Sequence, residues 1–527
     1  MGEKISRRNY LKYVGTGIVG FAVGGAVGYF SRTPEVIEKV TTQTETVTKT
    51  VTGTLTGTPT TITTVAPTTV ITTVAPTPTV LKRLSILNQE TDADSVAWLK
   101  KAIEAYEKEN PYVKIALDSI SVTEVWNRIT LDIPAGKAAE VVTLPYFGSA
   151  VTLATQGFLQ PITDVIKAVN EKYKGTDADW APYSRLVLEG EDYCFPFDVN
   201  TMILYTRKDY FEEAGINRAP KTWNEVIEFA TLLQKDTDKD GKIDRWGIIW
   251  SAGRNNANTE QYIILAWQHG AKFFDDDFNV VLDSPEYIDN AVQALETYKK
   301  LTDLSPPGST GFSWPEMISY FTGGRVAMGR YTGGRLTKRI HADNPTIEDK
   351  VEVYPLPQVD PSHPVHYSPQ DVFAVVSRSV YPEEGVRFLK WFIPSRHFIN
   401  FLHTVPTHFT PPIKCMWESE DYRTYTAPGL EDLVNLLNRH FDADKANFES
   451  AWYGFDLTCE PGNVYYNPFA GAILGGLQIP DMVQSYLLGK MDARSAVKYG
   501  AEEIRKVVES LKATMTIKYK IEAWKGR

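Results

Sequence analysis

From about residue 81 the chain alternates short apolar runs with stretches whose apolar residues recur every three to four positions. The run at 84–87 predicts a strand. Residues 95–109 predict a helix with Val96, Leu99, Ile103 and Tyr106 on one face. A second strand is expected at 112–117, a helix around 123–133, and a third strand at 141–144. This β-α-β-α-β order predicts an α/β fold with a largely parallel sheet. Later strands are expected at 202–205, 247–250 and 373–376, and a helix at 224–234. From about residue 428 the pattern is mostly helical, as at 493–512.

The first 80 residues follow no such pattern. Ser6-Arg7-Arg8-Asn9-Tyr10-Leu11-Lys12 precedes an 18-residue apolar run from Tyr13 to Phe30 that holds six glycines. A basic start followed by an apolar stretch is an export signal. The paired arginines resemble the twin-arginine signal; an ordinary signal or an uncleaved membrane anchor are the alternatives. The run is close to the minimum for a spanning helix, and Arg32 would mark the membrane edge. Residues 1–32 are therefore expected to be a signal or anchor. Residues 33–80 are expected to be a stalk, because 41–80 hold 20 Thr and repeat Val-Ala-Pro-Thr, which cannot build a core.

Composition narrows the function. Of 527 residues, 43% are hydrophobic and 23% charged, an ordinary globular balance. Residues 1–80 carry seven Lys/Arg against four Asp/Glu, so the net charge of −10 becomes −13 over the remaining 447 residues. An acidic body does not suit a nucleic-acid binder. Three cysteines exclude a disulfide scaffold. Cys415 and Cys459 could pair outside the cell, which would leave Cys194 over. The eight histidines lack metal-ligand or catalytic spacing, and the Gly-Gly steps at 323–324, 333–334 and 475–476 lack phosphate-loop context.

The sharpest local motif runs from Asp236 to Asp244. Asp236, Asp238, Asp240, the carbonyl of Lys242 and Asp244 are oxygen donors at alternate positions, and Gly241 stands at position six. That is the spacing of a calcium loop. Ile243 is expected to pin the loop to a core. Position twelve is Gly247 where an EF-hand has a bidentate Glu, so a remote carboxylate would be needed. The expected role of calcium is structural.

A series of segments then resembles one family. Ala135-Gly136-Lys137-Ala138-Ala139-Glu140-Val141-Val142, Gly157-Phe158-Leu159-Gln160-Pro161-Ile162 and Asp192-Tyr193-Cys194-Phe195-Pro196 come in order. Asp209-Tyr210-Phe211-Glu212-Glu213-Ala214-Gly215 leads to Pro220-Lys221-Thr222-Trp223-Asn224-Glu225. Phe321-Thr322-Gly323-Gly324-Arg325-Val326-Ala327-Met328 and Val386-Arg387-Phe388-Leu389-Lys390-Trp391-Phe392 complete the set. Together, over about 84–512, they resemble the extracellular solute-binding proteins of the family 1 type, which serve sugar ABC transporters. Ala139-Glu140 stands where the family has Pro-Asp, and Ser368-Pro369-Gln370-Asp371 replaces a Gly-Gly loop. These departures put direct transfer of sugar contacts in doubt.

The resemblance implies an α/β, two-lobe fold of the periplasmic-binding-protein type II class, with the ligand in an interlobe cleft that closes by a hinge. By analogy, lobe one is 81–196 plus 350–405 and lobe two is 197–349 plus 406–515. The crossings are expected near 195–198, 348–353 and 404–407. Sugar recognition needs aromatic faces and planar polar groups, which in open α/β sheets sit after strand ends. On that basis Glu90, Tyr146, Trp250, Arg330 and Tyr331 are candidate ligand contacts, as are Gln370 and Asp371 just before a late strand and Trp452 in a loop-like stretch. Asp198 and Asn200, in a crossing segment, join them from the resemblance. Trp223 belongs to a helix-start motif and is expected to be structural.

The N-terminal segment implies export and anchoring, and the resemblance implies a monomeric binding protein, not an enzyme. It would capture a di- or oligosaccharide outside the cell and pass it to a membrane permease driven by a separate ATPase. The alternatives are the same fold binding a peptide or phosphorylated polyol, and, less in keeping with the motifs, a secreted carbohydrate-active enzyme using a carboxylate pair.

Overall fold

The computed structural model describes residues 35–37, 79–426, 429–451, 453–514 and 520–526. The signal or anchor and most of the stalk lie outside the described residues, as does Trp452. Among the described residues no helix is long and apolar enough to cross a membrane. The chain divides into two compact units, Met1–Arg83 with Glu107–Ile115, and Leu84–Tyr106 with Ala116–Arg527. In the first, strand β1 (Glu35–Ile37) pairs antiparallel with the start of β2 (Thr79–Asn88), Glu35 lying opposite Leu81. There too Glu107 accepts from the Lys114 ammonium at 2.7 Å and the Ile115 N–H at 2.8 Å.

The remaining strands are β3 (Val113–Ser119), β4 (Val141–Leu144), β5 (Val187–Leu188), β6 (Glu191–Asp192), β7 (Phe195–Pro196), β8 (Met202–Arg207), β9 (Trp246–Ile249), β10 (Val326–Thr332), β11 (Val351–Pro355) and β12 (Val372–Val375). The helices that position the site are α1 (Ala93–Glu109), α2 (Phe147–Thr155), α3 (Trp223–Leu233), α4 (Asn256–Gln268), α5 (Trp314–Thr322), α6 (Arg335–Asp343) and α7 (Ala443–Ser450).

Two sheets organise the second unit. In one, Ile86 and Leu87 of β2 pair in parallel with Val141 and Val142 of β4. Strand β12 then runs antiparallel to both β4 and β7. The other sheet has the order β11-β8-β10-β9, antiparallel except between β10 and β9. The expected largely parallel sheet is therefore two mixed sheets. The residues explain the error: all four of β4, all six of β8 and all four of β12 are buried. A strand covered on both faces reads as an unbroken apolar run whichever way its neighbours point.

Local signals account for the helices. In α1, Leu99, Ala102, Ile103 and Tyr106 are buried, at the spacing of one helical face. Helix α3 opens with a capping box: Thr222 accepts from the Glu225 N–H at 3.2 Å, and Glu225 accepts from the Thr222 N–H. Trp223 is buried as expected, its indole N–H donating to Gln268 at 2.6 Å. Ser313 and Glu316 box the start of α5 in the same way.

Three connections matter for the site. Residues 197–201 leave the first sheet at β7 and enter the second at β8. The return runs from β11 to β12 through 356–371. The crossing expected near 348–353 is displaced, because β11 pairs with β8 from Val351 to Pro355 and so belongs to the second sheet. Near the third expected crossing, Asn447 of α7 holds two segments together. Its amide donates to the Thr407 carbonyl at 2.6 Å and the Thr410 hydroxyl at 2.9 Å, and its oxygen accepts the Thr201 N–H at 3.0 Å.

All three cysteines are free, so the Cys415–Cys459 pairing is not made. Cys459 is buried in the core, its thiol directed at the Asn463 carbonyl, while Cys415 lies half-buried beside Gly175.

Candidate ligand-binding site

A cavity of about 960 Å³ opens beside the ends of β2, β4 and β10. It falls in the size range of small-molecule sites. Of the expected contacts, Glu90, Tyr146, Asn200, Tyr331 and Asp371 line it. Asp198, Arg330 and Gln370 are buried next to lining residues but do not line the cavity. Trp250 is displaced outright: it is fully buried, edge-on to Trp223 and Tyr298 at 5.4 and 5.8 Å, so the end of β9 is closed by core aromatics.

Tyr146 joins β4 to α2 with φ 62° and ψ 134°. A non-glycine residue in that region costs of order 1–3 kcal/mol, so the surroundings must hold it. Its N–H donates to Asp371 at 3.0 Å, its hydroxyl donates to Glu260 at 3.0 Å, and Asn256 donates to that hydroxyl at 3.1 Å. Asp371 also accepts from the Gln89 amide at 2.5 Å, and its own N–H donates to Asp198 at 2.6 Å. Asp198 accepts the Asn200 amide at 3.0 Å. Burial pushes both Asp198 and Asp371 above the usual carboxylate range; for Asp198 the neighbouring Asp371 and then Glu90 add to it, and for Asp371 Glu90 does. Burial likewise pushes Glu260 up to about 7, against the pull of Arg330.

The facing wall comes from α5 and α6. Trp314, half-buried, stands edge-on to Tyr331 at 5.1 Å, with the Arg330 guanidinium 4.9 Å from the indole centroid. Arg335 donates to Glu90 and to Asp92, both at 3.0 Å, and Lys338 pairs with Asp92 and Asp94 at 3.1 and 2.8 Å. These ion pairs join the end of β2 in the first sheet to α6 beyond the second. His408 lines the cavity with Nδ1 3.0 Å from the Thr332 carbonyl, and burial, then Arg335, holds its pKa well below the ordinary value.

Sequence reading missed Gln89, Asp92, Asn256, Glu260, Trp314, Arg335 and His408. A capping box announces Trp314, since Ser313 and Glu316 start a helix whose first residue is exposed to the cavity. The Gly333-Gly334 step announces Arg335: a Cβ at Gly334 would stand 2.0 Å from the Pro406 carbonyl. The step lets the chain turn tightly after β10 into α6.

Away from the cavity, the 236–244 loop brings carboxylate oxygens of Asp236, Asp238 and Asp244 within 4.8 Å of one another. Asp240 is not in that cluster, and its carboxylate accepts the Lys242 N–H at 2.8 Å. Gly241 has φ +88°, the turn its position requires. Ile243 does not pin the loop; it is 37% exposed. Gly247 cannot be a glutamate, because a Cβ there would lie 2.0 Å from the Ala230 carbonyl.

The fold is that of the two-lobe solute-binding proteins. Residues 91–393 match the profile of the bacterial extracellular solute-binding proteins, and the chain belongs to that family. It is 26% identical over 242 residues to a mannitol-binding protein of Pseudomonas aeruginosa, covering 44% of this chain and 50% of that one. It is 24% identical over 260 residues to an arabinooligosaccharide-binding protein of Halalkalibacterium halodurans, covering 46% and 52%. The chain spans about half the length of these curated relatives. An ABC transporter solute-binding protein from Agrobacterium radiobacter K84, in complex with ribitol, superposes with TM-score 0.63 at 19% identity, over 81% of this chain and 98% of that one.

Proposed function

We propose that this protein is the extracellular ligand-capturing subunit of an ABC importer, that it binds a carbohydrate, and that it hands it to a membrane permease with a separate ATPase. The observation that carries this reading is the cavity itself. An aromatic pair, Trp314 and Tyr331, faces planar polar groups on Asn200, Glu260, Asp371 and Arg335. Flat apolar faces suit the C–H side of a sugar ring, and the amide, carboxylate and guanidinium groups suit its hydroxyls. The mannitol- and arabinooligosaccharide-binding relatives support both a polyol and a short saccharide; the cavity volume favours the di- or oligosaccharide. The N-terminal segment would export the chain and tether it, as a monomer, to the outer face of the membrane. The stalk would raise its local concentration near the permease. Capture would shift the population from open to closed lobes. The 236–244 loop would hold a structural calcium through Asp236, Asp238 and Asp244, with Asp240 and Lys242 shaping the turn.

The test is isothermal titration of the full-length chain with mono-, di- and oligosaccharides, alditols and short peptides, followed by analysis of each sugar for cleavage. Saturable binding of one carbohydrate class with the ligand recovered intact is expected. Binding of peptides alone would overturn the carbohydrate assignment, and glycan cleavage would favour the enzyme reading.

A further inference from the structure

The inference here rests on the carbohydrate reading above and sharpens it. The carboxylates lining the cavity are Glu90, Asp92, Glu260, Glu316, Asp343 and Asp371; the lining guanidiniums are Arg335 and Arg339. Both guanidiniums are engaged, Arg335 with Glu90 and Asp92, and Arg339 with Asp343 at 2.9 Å. A phosphate entering the cavity would meet a surplus of carboxylates and two arginines already paired.

The deep end is more specific. Glu260 is 5% exposed, and its Oε2 has no hydrogen-bond partner. Asn200, 3% exposed, gives its amide N–H to Asp198 and leaves Oδ1 unpartnered. Gln89, also 3% exposed, gives its N–H to Asp371 and leaves Oε1 unpartnered. Among the described lining side chains, every buried polar atom left without a partner is an acceptor. Buried acceptors are costly until a donor arrives, most of all on a carboxylate. Arg330 attracts Glu260 from behind Trp314, but its only hydrogen bond runs to the Ala257 carbonyl at 3.4 Å. A hydroxyl brings one donor and acceptors of its own, whereas an ammonium brings three donors, no acceptor and a positive charge.

We infer that the deep end of the cavity, at Glu260 with Asn200 and Gln89, seats an amine of the ligand, so that the captured carbohydrate is an amino sugar or amino polyol and phosphorylated ligands are refused. A charge-assisted hydrogen bond to Glu260 makes the amine at least about tenfold tighter than the matching hydroxyl.

The experiment is isothermal titration of the full-length chain with matched sets that differ in one substituent: hydroxyl, amine, N-acetyl and phosphate. The sets span hexoses, β-1,4-linked disaccharides and hexitols. In the set that binds, the amine is expected to be tightest by about tenfold, with the N-acetyl and phosphate members weaker than the hydroxyl. Glu260→Gln is expected to abolish the amine's advantage, bringing the amine-to-hydroxyl affinity ratio down to about one whatever the variant does to the affinity of both members. Should that variant fail to fold, the wild-type chain is titrated with an aminohexitol, whose alkyl amine stays protonated, against the hexitol, from pH 8 to pH 5.5. Glu260 faces Tyr146, Arg330, Asp371 and Asp456. Protonation of this carboxylate group removes the charge that holds the ammonium, so the amine-to-hydroxyl ratio falls severalfold on acidification. An unchanged ratio, or a hydroxyl or phosphate member as tight as the amine, overturns the inference and leaves the carbohydrate reading standing. Failure of every set overturns both.

Discussion

The Tyr146 hydroxyl donates to Glu260 across 3.0 Å, joining a turn at the end of β4 to a helix 114 residues further along the chain. The first sheet thereby reaches the helix that carries Glu260, and the backbone of Tyr146 stays at φ 62° while it does so. Removing the hydroxyl leaves Glu260 with neither oxygen partnered, since Oε2 has no bond of its own. An unsatisfied buried acceptor costs about 1–3 kcal/mol, more for a charged one. Tyr146→Phe is expected to lower the melting temperature by a few degrees and weaken carbohydrate binding about tenfold or more. Thermal unfolding and titration on the same sample check it; unchanged affinity would mean the tyrosine only packs.

Arg335 makes a second bridge, to Glu90 and Asp92 on the far side of the cavity. Side-chain exposures of 19% for Arg335 and 8% for Glu90 mean that salt screens this pair less than a surface pair, though it still weakens it. In the ligand-free chain, high salt is expected to favour the open state. Arg335→Met is expected to do the same at low salt, because it leaves Glu90 nearly buried and unpaired. Small-angle scattering reads both as a rise in radius of gyration that saturating carbohydrate reverses. A radius insensitive to salt and to the substitution would remove the bridge from any part in closure.

Trp314 lines the cavity, with the Arg330 guanidinium over its ring and Tyr331 edge-on. Trp314→Ala removes a stacking surface from a half-buried position, so the fold should lose little. Binding should weaken by about 10- to 30-fold, the loss of roughly 1.5–2 kcal/mol of aromatic contact. Titration measures this directly, and an effect on stability larger than that on affinity would place Trp314 in the core.

How much of this was legible beforehand depends on what linear distance hides. Glu90, Tyr146, Asn200 and Asp371 could be named because each follows a strand end or sits in a crossing, where backbone direction alone brings side chains to the cavity. Tyr331, expected just past a strand, instead lies within β10, paired with Ile203, yet it still lines the cavity. Trp250 met the same rule and failed it, because Trp223 and Tyr298 fill the space beyond β9. Glu260 and Asn256 lie on a helix with eleven buried residues and almost no amphipathic signal, so no pattern separates site from core there. The crossing at 356–371 was misplaced because β11, with Val351 and Val353 buried, could have joined either sheet. Only the pairing with β8 decides it.

Stability should fall as pH rises from about 6 to 8. Burial first, with neighbouring groups adjusting it, pushes Glu260 and Glu460 up to about 7 and Asp444 and Asp456 up to about 6. Over that range the folded chain holds protons that the unfolded chain has released, so raising the pH favours unfolding. Half-buried His366 and buried His403, lowered to about 4 by desolvation, act in the opposite sense below about 6.5. There the unfolded chain binds protons that the folded one does not, which flattens the gain on further acidification. Melting curves of the ligand-free chain at constant ionic strength are expected to shift to lower temperature from pH 6 to pH 8. A rise over that interval would mean that these carboxylates are solvated.

The loop at 236–244 already satisfies part of its own charge: Asp236 accepts from the Asp240 and Gly241 N–H groups, and Asp244 from the Thr237 N–H and hydroxyl. Asp244 is held below the usual carboxylate range by those Thr237 bonds. The three clustered carboxylates nonetheless remain close together, and a divalent cation relieves that repulsion. An ion that binds only the folded loop stabilises it by about 2.7 kcal/mol at a hundredfold excess over its dissociation constant. Calcium is expected to raise the melting temperature by a few degrees and to protect the loop from proteolysis, with magnesium weaker at equal concentration. Asp238→Ala should abolish the calcium shift and leave carbohydrate affinity unchanged, because the loop does not line the cavity. If chelator and calcium give superimposable melting and digestion, the aspartates form a solvated acidic turn. If Asp238→Ala weakens carbohydrate binding as well, the ion is coupled to the cavity through α3 and β9, which flank the loop.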